Sequence, residues 1–289
     1  MTVNIRPMTA DDAEGVHDVV EAADEDADRR AGREPEPSTD AGRARFLAGM
    51  RRFVALDPGG AWVAEDSEGL VGMGEAIRRD DFWGLSMLFV HPRGQSQGIG
   101  RQLLDKTLTY AEGARVRMIM ASDDPRALRR YSRAGLSIHP GVEATGEVDR
   151  SKIPADLPGR QGSTADIDFI ATVEKSMYRD RTDDVAAILE AGGGSLEIVD
   201  NGDRRGYGMQ RDGRMAILGA TDDETASLVF WRLIAAAEKK AEVWSLTAAQ
   251  DWAVKVALEA GLAIKPGGSM FTSGMDALPG PWLPSGWYF

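Results

Sequence analysis

Apolar and polar positions along the chain change period in a way that lays out alternating strands and helices. Residues 3–7 (Val-Asn-Ile-Arg-Pro) alternate with the two-residue period of a short strand. Thr9-Ala-Asp-Asp12 then supplies an N-cap and acidic first-turn residues, which predicts a helix over 9–22. Residues 23–40 are polar, charged and proline-bearing and read as a loop, with a second helix over 41–53. Residues 61–65 and 70–77 read as a hairpin of strands, and 82–90 as a more apolar strand. A loop of Pro, Gly, Gln and Ser follows, then an amphipathic helix carrying Ile99, Leu103, Leu104 and Leu108. A strand over 116–121 and a helix ending near Gly135 complete the run. The order β-α-α-β-β-β-α-β-α-β predicts an α/β fold with a mixed, twisted sheet flanked by helices.

The junction between strand 82–90 and the next helix carries the chemistry. A strand that stops at Pro92 and a Gly-rich turn that opens a helix leave several backbone N–H groups aimed at one place. Backed by the helix dipole, they make an anion site suited to a pyrophosphate. The nucleotide-triphosphate loop needs a lysine after its last glycine, and none follows Gly98 or Gly100. The dinucleotide fingerprint needs a third glycine at 103, where Leu103 stands. What is present is Val90 and Pro92 followed by Gln95-x-x-Gly98-x-Gly100.

That pattern resembles the acyl-CoA loop of the GNAT superfamily of N-acetyltransferases. A second stretch strengthens the resemblance: Asp124, Ala127, Tyr131, Gly135 and Leu136 fit N-x-x-A-x-x-x-Y-x-x-x-G-F/L, with Asp124 where asparagine is commonest. The resemblance implies acetyl-CoA as co-substrate, its pantetheine along the backbone of Leu88, Phe89 and Val90. Its pyrophosphate would lie on the loop of Gln95, Ser96, Gln97, Gly98, Ile99, Gly100 and Arg101, with Asp124 and Ala127 also in the cofactor-binding motifs. It further implies direct attack by an amine on the thioester, with Tyr131 as general acid toward the departing thiolate. The amine must first lose a proton, and Glu75 or Ser86 (through water) are the candidate bases.

Composition narrows the reaction and the partners. No cysteine is present among 289 residues, which excludes a disulfide and an acyl-cysteine intermediate. A net charge of −12 argues against a nucleic-acid partner and mildly favours a cationic small-molecule amine. The acidic run Glu21, Asp24, Glu25 and Asp26 lies where such an acceptor would approach. The three histidines (His17, His91, His139) have no partner at ligand spacing, so no metal is expected. No apolar run reaches membrane-spanning length and the start lacks a secretory pattern, so a cytoplasmic monomer or homodimer without membrane contact is expected.

The second half reads as a shorter copy of the first. Thr164-Ala-Asp166 echoes Thr9-Ala-Asp11, Arg205–Met209 echoes the strand holding Glu75, and Ala253, Ala257, Gly261 and Leu262 repeat the spacing of Ala127, Tyr131, Gly135 and Leu136. The expected division is a catalytic domain over 1–145, a linker over 146–162 and a degenerate GNAT-like domain over 163–289. In the copy, Asp222, Asp223 and Glu224 occupy the helix start and Ala257 the tyrosine position, so no CoA is expected there. The aromatic, proline-rich tail (278–289) is expected to pack across the two domains or, more plainly, to complete the second sheet. Two other functions fit the residues: a non-catalytic acyl-CoA-binding regulatory module, and an acyltransferase for a hydroxyl or a longer acyl group.

Overall fold

The alternating segments of the first half become strands at the places their period sets. The computed structural model describes residues 2–287 apart from 36, 178–179, 191, 193 and 275–280. It shows β1 (Asn4–Pro7), α1 (Ala13–Arg30), α2 (Asp40–Leu56), β2 (Ala61–Asp66), β3 (Gly69–Arg79), β4 (Phe82–Val90), α3 (Ile99–Thr109), β5 (Val116–Ala121), α4 (Pro125–Arg133) and β6 (Ser137–Glu147). One expectation fails: residues 23–30, read as loop, continue α1. Their charges pair along the helix, Glu25 with Arg29 at 2.7 Å and Asp26 with Arg30 at 2.5 Å, so a polar stretch stays helical.

The second half repeats the order with β7 (Arg160–Gln161), α5 (Ile167–Glu174), α6 (Thr182–Glu190), β8 (Ser195–Asn201), β9 (Arg204–Arg211), β10 (Arg214–Ala220), α7 (Asp223–Ala236), β11 (Lys240–Leu246), α8 (Asp251–Glu259) and β12 (Ala263–Ser273). A short β13 (Trp282–Leu283) follows. The copy is shortened in its first two helices. Its register is one residue away from the Thr9/Thr164 echo. In the first half Thr9 and Asp12 form a capping box clasped by Arg6 (Nη1–Oδ2 2.8 Å); in the second Ser163, Asp166 and Arg160 do the same (Nη1–Oδ2 3.1 Å). Both copies also end their last helix alike. Gly135 (φ +86°) and Gly261 (φ +80°) take the left-handed position, and the amides of Leu136 and Leu262 reach back to Tyr131 O (3.3 Å) and Ala257 O (2.9 Å).

The chain divides into two compact units, residues 1–78 with 83–114, and residues 79–82 with 115–289. In the first unit the strand order is β1-β2-β3-β4. Gly72 and Gly74 on β3 let α3 sit close: a Cβ on Gly72 would stand 3.0 Å from Leu103, and one on Gly74 3.2 Å from Thr107. Ala64, Val71, Ile99 and Leu103 form the core between sheet and α3.

In the second unit the order is β5-β12-β6-β11-β10-β9-β8-β7, with β13 beside β10. β12 runs antiparallel to β5 on one side and to β6 on the other, while β6 also pairs with β11. Each copy's last strand therefore lies against the fifth strand of the other. The tail completes the second sheet, as the plainer expectation had it: Leu283 pairs with Leu218 and Trp282 with Gly219. Residues 278–280 and 288–289 of that tail lie outside the described residues. No helix among the described residues is long and apolar enough to cross a membrane.

Candidate functional site

β4 is buried from Phe82 to Leu85, and beyond Met87 Leu88, Phe89 and Val90 are half-open. Pro92 opens a single 3-10 turn (Pro92–Gly94), and contacts from Arg93, Gly94, Gln95 and Gln97 fix the loop behind it. Arg93 binds the Asp66 carboxylate and the carbonyls of Gly69 (3.3 Å) and Leu70 (3.0 Å), tying the loop to the β2–β3 turn and holding the Asp66 carboxyl below its usual range. Gly94 packs so closely that a Cβ would stand 2.4 Å from Val71. The Gln95 amide donates to Val90 O and to Asp26 Oδ2, both at 3.3 Å, and Gln97 donates to Arg93 O at 3.0 Å. Gln95 and Gln97 therefore shape the loop with their side chains and leave the backbone as its recognition surface.

That backbone is aimed by two left-handed residues, Ser96 (φ +64°) and Gly98 (φ +81°). A Cβ on Gly98 would meet nothing within 4 Å, so conformation and not packing calls for glycine there. Gly98 caps α3 without a side chain, and the first turn holds no acid. The amides of Arg101 and Gln102 both turn to Gly98 O at 3.1 Å. Those of Ile99 and Gly100 precede the first intrahelical bond and sit at the positive end of the dipole. Arg101 is exposed and lies 3.6 Å from Asp105.

Glu75 is fully buried on β3, and because Gly74 faces α3, alternation turns Glu75 to the opposite face of the sheet. Ser86 is half-buried on β4. In the second unit Asp124 is the N-cap of α4: it accepts from the Arg126 amide at 2.8 Å and pairs with its guanidinium at 2.6 Å, the capping work an asparagine also does. Ala127 lies half-buried one turn before Tyr131. The Tyr131 ring is buried edge-on to Phe271 (5.5 Å between centroids), and that burial pushes its hydroxyl up to about 12. On α1, Glu21 accepts from the Ser38 hydroxyl (2.9 Å) and amide (3.2 Å), so the acidic run is partly engaged locally. Among the described residues no group of His, Asp and Glu could hold a metal ion. Sequence reasoning missed Arg93 and Gly94, the anchors of the loop; their adjacency to Pro92 was the available signal.

A family model described as "Acetyltransferase (GNAT) family" matches residues 21–136. Residues 21–136 form a GNAT acetyltransferase domain. Acyl transfer from acetyl-CoA is the chemistry of this family. Solved structures resemble the whole chain in fold. A Pyrococcus horikoshii protein described as an acetyltransferase shares 15% identity over 96% of this chain and 91% of its own, with a TM-score of 0.75. A GCN5-related N-acetyltransferase of Sphaerobacter thermophilus shares 14% over 96% and 98%, TM-score 0.59. A tandem GNAT protein from the clavulanic acid biosynthesis pathway shares 15% over 94% and 98%, TM-score 0.53. No curated protein sequence matches the chain.

The repeated fold gives several residues of the first half a counterpart in the second. Gly206 of β9 lies against Thr225 and Val229 as Gly72 of β3 lies against Ile99 and Leu103, and the bond from the Thr221 amide to Arg205 O repeats that from His91 to Val71 O, so Tyr207 corresponds to Met73 and Met209 to Glu75. At the start of α7, Asp222 accepts from the Thr225 amide at 2.8 Å, and Asp223 and Glu224 fill the first turn. Around Tyr207, its hydroxyl donates to Glu174 Oε1 (2.6 Å), and Arg181 donates from Nε to Glu174 Oε2 (3.0 Å) and from Nη2 to Oε1 (2.8 Å). All three side chains are fully buried. Nearby, the fully buried Asp184 accepts from Arg79 at 2.9 and 3.0 Å.

Proposed function

We propose that the chain is an N-acetyltransferase that moves the acetyl group of acetyl-CoA to the amine of a small-molecule acceptor. The observation that carries this reading is the start of α3. A left-handed glycine opens the helix, no side chain caps it, and no acid stands in its first turn. Such a terminus suits a diphosphate and needs no lysine or metal to neutralise it. The half-open backbone from Leu88 to Val90 takes the amide-bearing pantetheine, and the amides from Gln97 to Gly100 take the diphosphate. Residues 1–145 carry the reaction, 146–162 join the copies, and 163–289 bind no CoA.

The amine nitrogen attacks the thioester carbonyl, the C–S bond breaks, and the thiolate takes the Tyr131 proton. With its hydroxyl near 12 against ~8.5 for a simple thiol, Tyr131 keeps its proton until the C–S bond is largely broken. It then acts first as a hydrogen-bond donor to the growing thiolate. Glu75 is favoured over Ser86 as the base because a carboxylate accepts the ammonium proton directly, and its full burial rules out a solvated strand residue. The functional test is a screen of amines for thiol release from acetyl-CoA, with the acetylated amine identified by mass. Amine-dependent release is expected. Binding of acetyl-CoA without release for any amine would favour the regulatory-module reading instead.

A further inference from the structure

The second copy retains a groove where the first has its donor strand, and the chain itself fills it. β10 and β11 run parallel and, among the described residues, pair only at Arg214 and Glu242. Beyond that point β10 takes a different partner, β13. Leu218 pairs with Leu283 and Gly219 with Trp282, and the Ala220 amide donates to Pro281 O at 3.0 Å. The bond from the His91 amide to Val71 O, repeated from the Thr221 amide to Arg205 O, aligns residues 218–220 with 88–90 of β4. The tail therefore hydrogen-bonds the strand segment that corresponds to the donor strand of the first copy.

The fit is that of a bound peptide. Trp282 and Leu283 are fully buried, Pro281 and Pro284 are buried beside them, and Ser285 is 8% exposed. Leu283 joins the core of Leu218, Ala220, Val229, Leu246 and Trp252. A segment that lends its backbone to a ladder and its alternate side chains to pockets is a strand-addition ligand. Pantetheine, an extended chain with two amides, offers a sheet edge a similar ladder. We propose that the donor groove of the second copy persists as a peptide-strand site and that residues 281–285 are its resident ligand. The assignment of this groove as the counterpart of a donor groove rests on the reading of β4 given above. On the other side of β10, Arg181 fills the space around Glu174 and Tyr207 and reaches Leu218 O at 3.4 Å. The second copy is closed by its own chain on both sides, independently of the carboxylates at α7.

The test uses the chain ended at Leu278 and a synthetic peptide of residues 279–289. Truncation should lower the melting temperature by roughly 5–15 °C, given the loss of a buried Trp and Leu. Adding the peptide in trans should restore most of that shift, and the same peptide carrying Trp282→Ala and Leu283→Ala should restore none. An unchanged melting temperature on truncation, or no recovery with the wild-type peptide, would overturn the proposal. If the truncated chain does not fold, hydrogen exchange on full-length Trp282→Ala decides: the Ala220 amide should exchange at least tenfold faster relative to the β9–β10 ladder, and an unchanged rate refutes the proposal. No acetyl-CoA enters either measurement, so failure here leaves the reading of the first copy standing, and failure of acetyl-CoA to bind leaves the peptide site standing.

Discussion

Two helix starts occupy the same place in two copies of one fold and have opposite electrostatics. α3 begins at a bare left-handed glycine, whereas α7 begins with Asp222 on the Thr225 amide and two more acids in the next positions. A helix terminus needs its amides satisfied, and it can meet that need with its own side chain or with a ligand. The first copy leaves the need open and the second closes it internally. The same contrast holds elsewhere. Position 75 keeps a buried carboxylate, while its counterpart is Met209 and, two residues earlier on the same face, Tyr207 is locked into a Glu174–Arg181 network. Position 131 keeps a hydroxyl, while its counterpart is Ala257. At the helix start and on the neighbouring strand, the second copy fills with its own side chains what the first leaves open.

The largest effect that would break this comparison lies in the closed copy. Arg181→Met leaves Glu174 buried opposite an apolar side chain and should cost about 3–5 kcal/mol in urea unfolding. A loss below ~0.5 kcal/mol, within the range of an ordinary surface change, would show that the network is not what holds the copy shut. Next, Tyr131→Phe should slow turnover ~10²–10⁴-fold while the thermal shift with acetyl-CoA is retained. Normal turnover would remove Tyr131 from the mechanism. Gly98→Asp transplants the second copy's cap onto the first. It should abolish the ~2.7 kcal/mol of stabilisation expected from acetyl-CoA at a hundred times its dissociation constant; an undiminished shift would move the diphosphate elsewhere.

The smallest effect tests what the copies share. The hydrogen bond from Arg6 holds the Asp12 carboxyl at about 2, and Arg160 lowers that of Asp166 in the same way. A carboxyl depressed in the folded state adds stability above its ordinary value near ~3.9, and that stability drains as pH falls toward 2. Asp12→Asn should cost about 1 kcal/mol at neutral pH and flatten the acid limb of the stability curve, with Asp166→Asn behaving alike. Opposite behaviour in the two variants would show that the repeated capping box is not equivalent in the two halves.

Local chemistry was legible where local forces decide. β4 and β5 fall on the residues whose period marked them, and Gly135 and Gly261 cap their helices as glycine spacing indicated. The continuation of α1 was not legible, because a dense charge run resembles a loop until its pairs are seen to lie one turn apart. The repeat was read one residue out of register because serine and threonine cap equally well, so Ser163 and Thr164 offer the same signal. The placement of β12 between β5 and β6 depends on pairings more than a hundred residues apart, which no local period encodes. β13 has only two residues, too few to carry a pattern. At the candidate site, the loop was visible as Gly98 and Gly100, but the anchoring of Gln95 to Asp26 and Val90 appears only in three dimensions.

On this reading one copy binds CoA and the other cannot. Calorimetric titration of acetyl-CoA into the full chain measures this directly. One site per chain is predicted, lost in Gly98→Asp and unchanged when Asp222, Asp223 and Glu224 are replaced by neutral residues. A stoichiometry of two, a second site appearing in the neutralised variant, or no binding at all would contradict it.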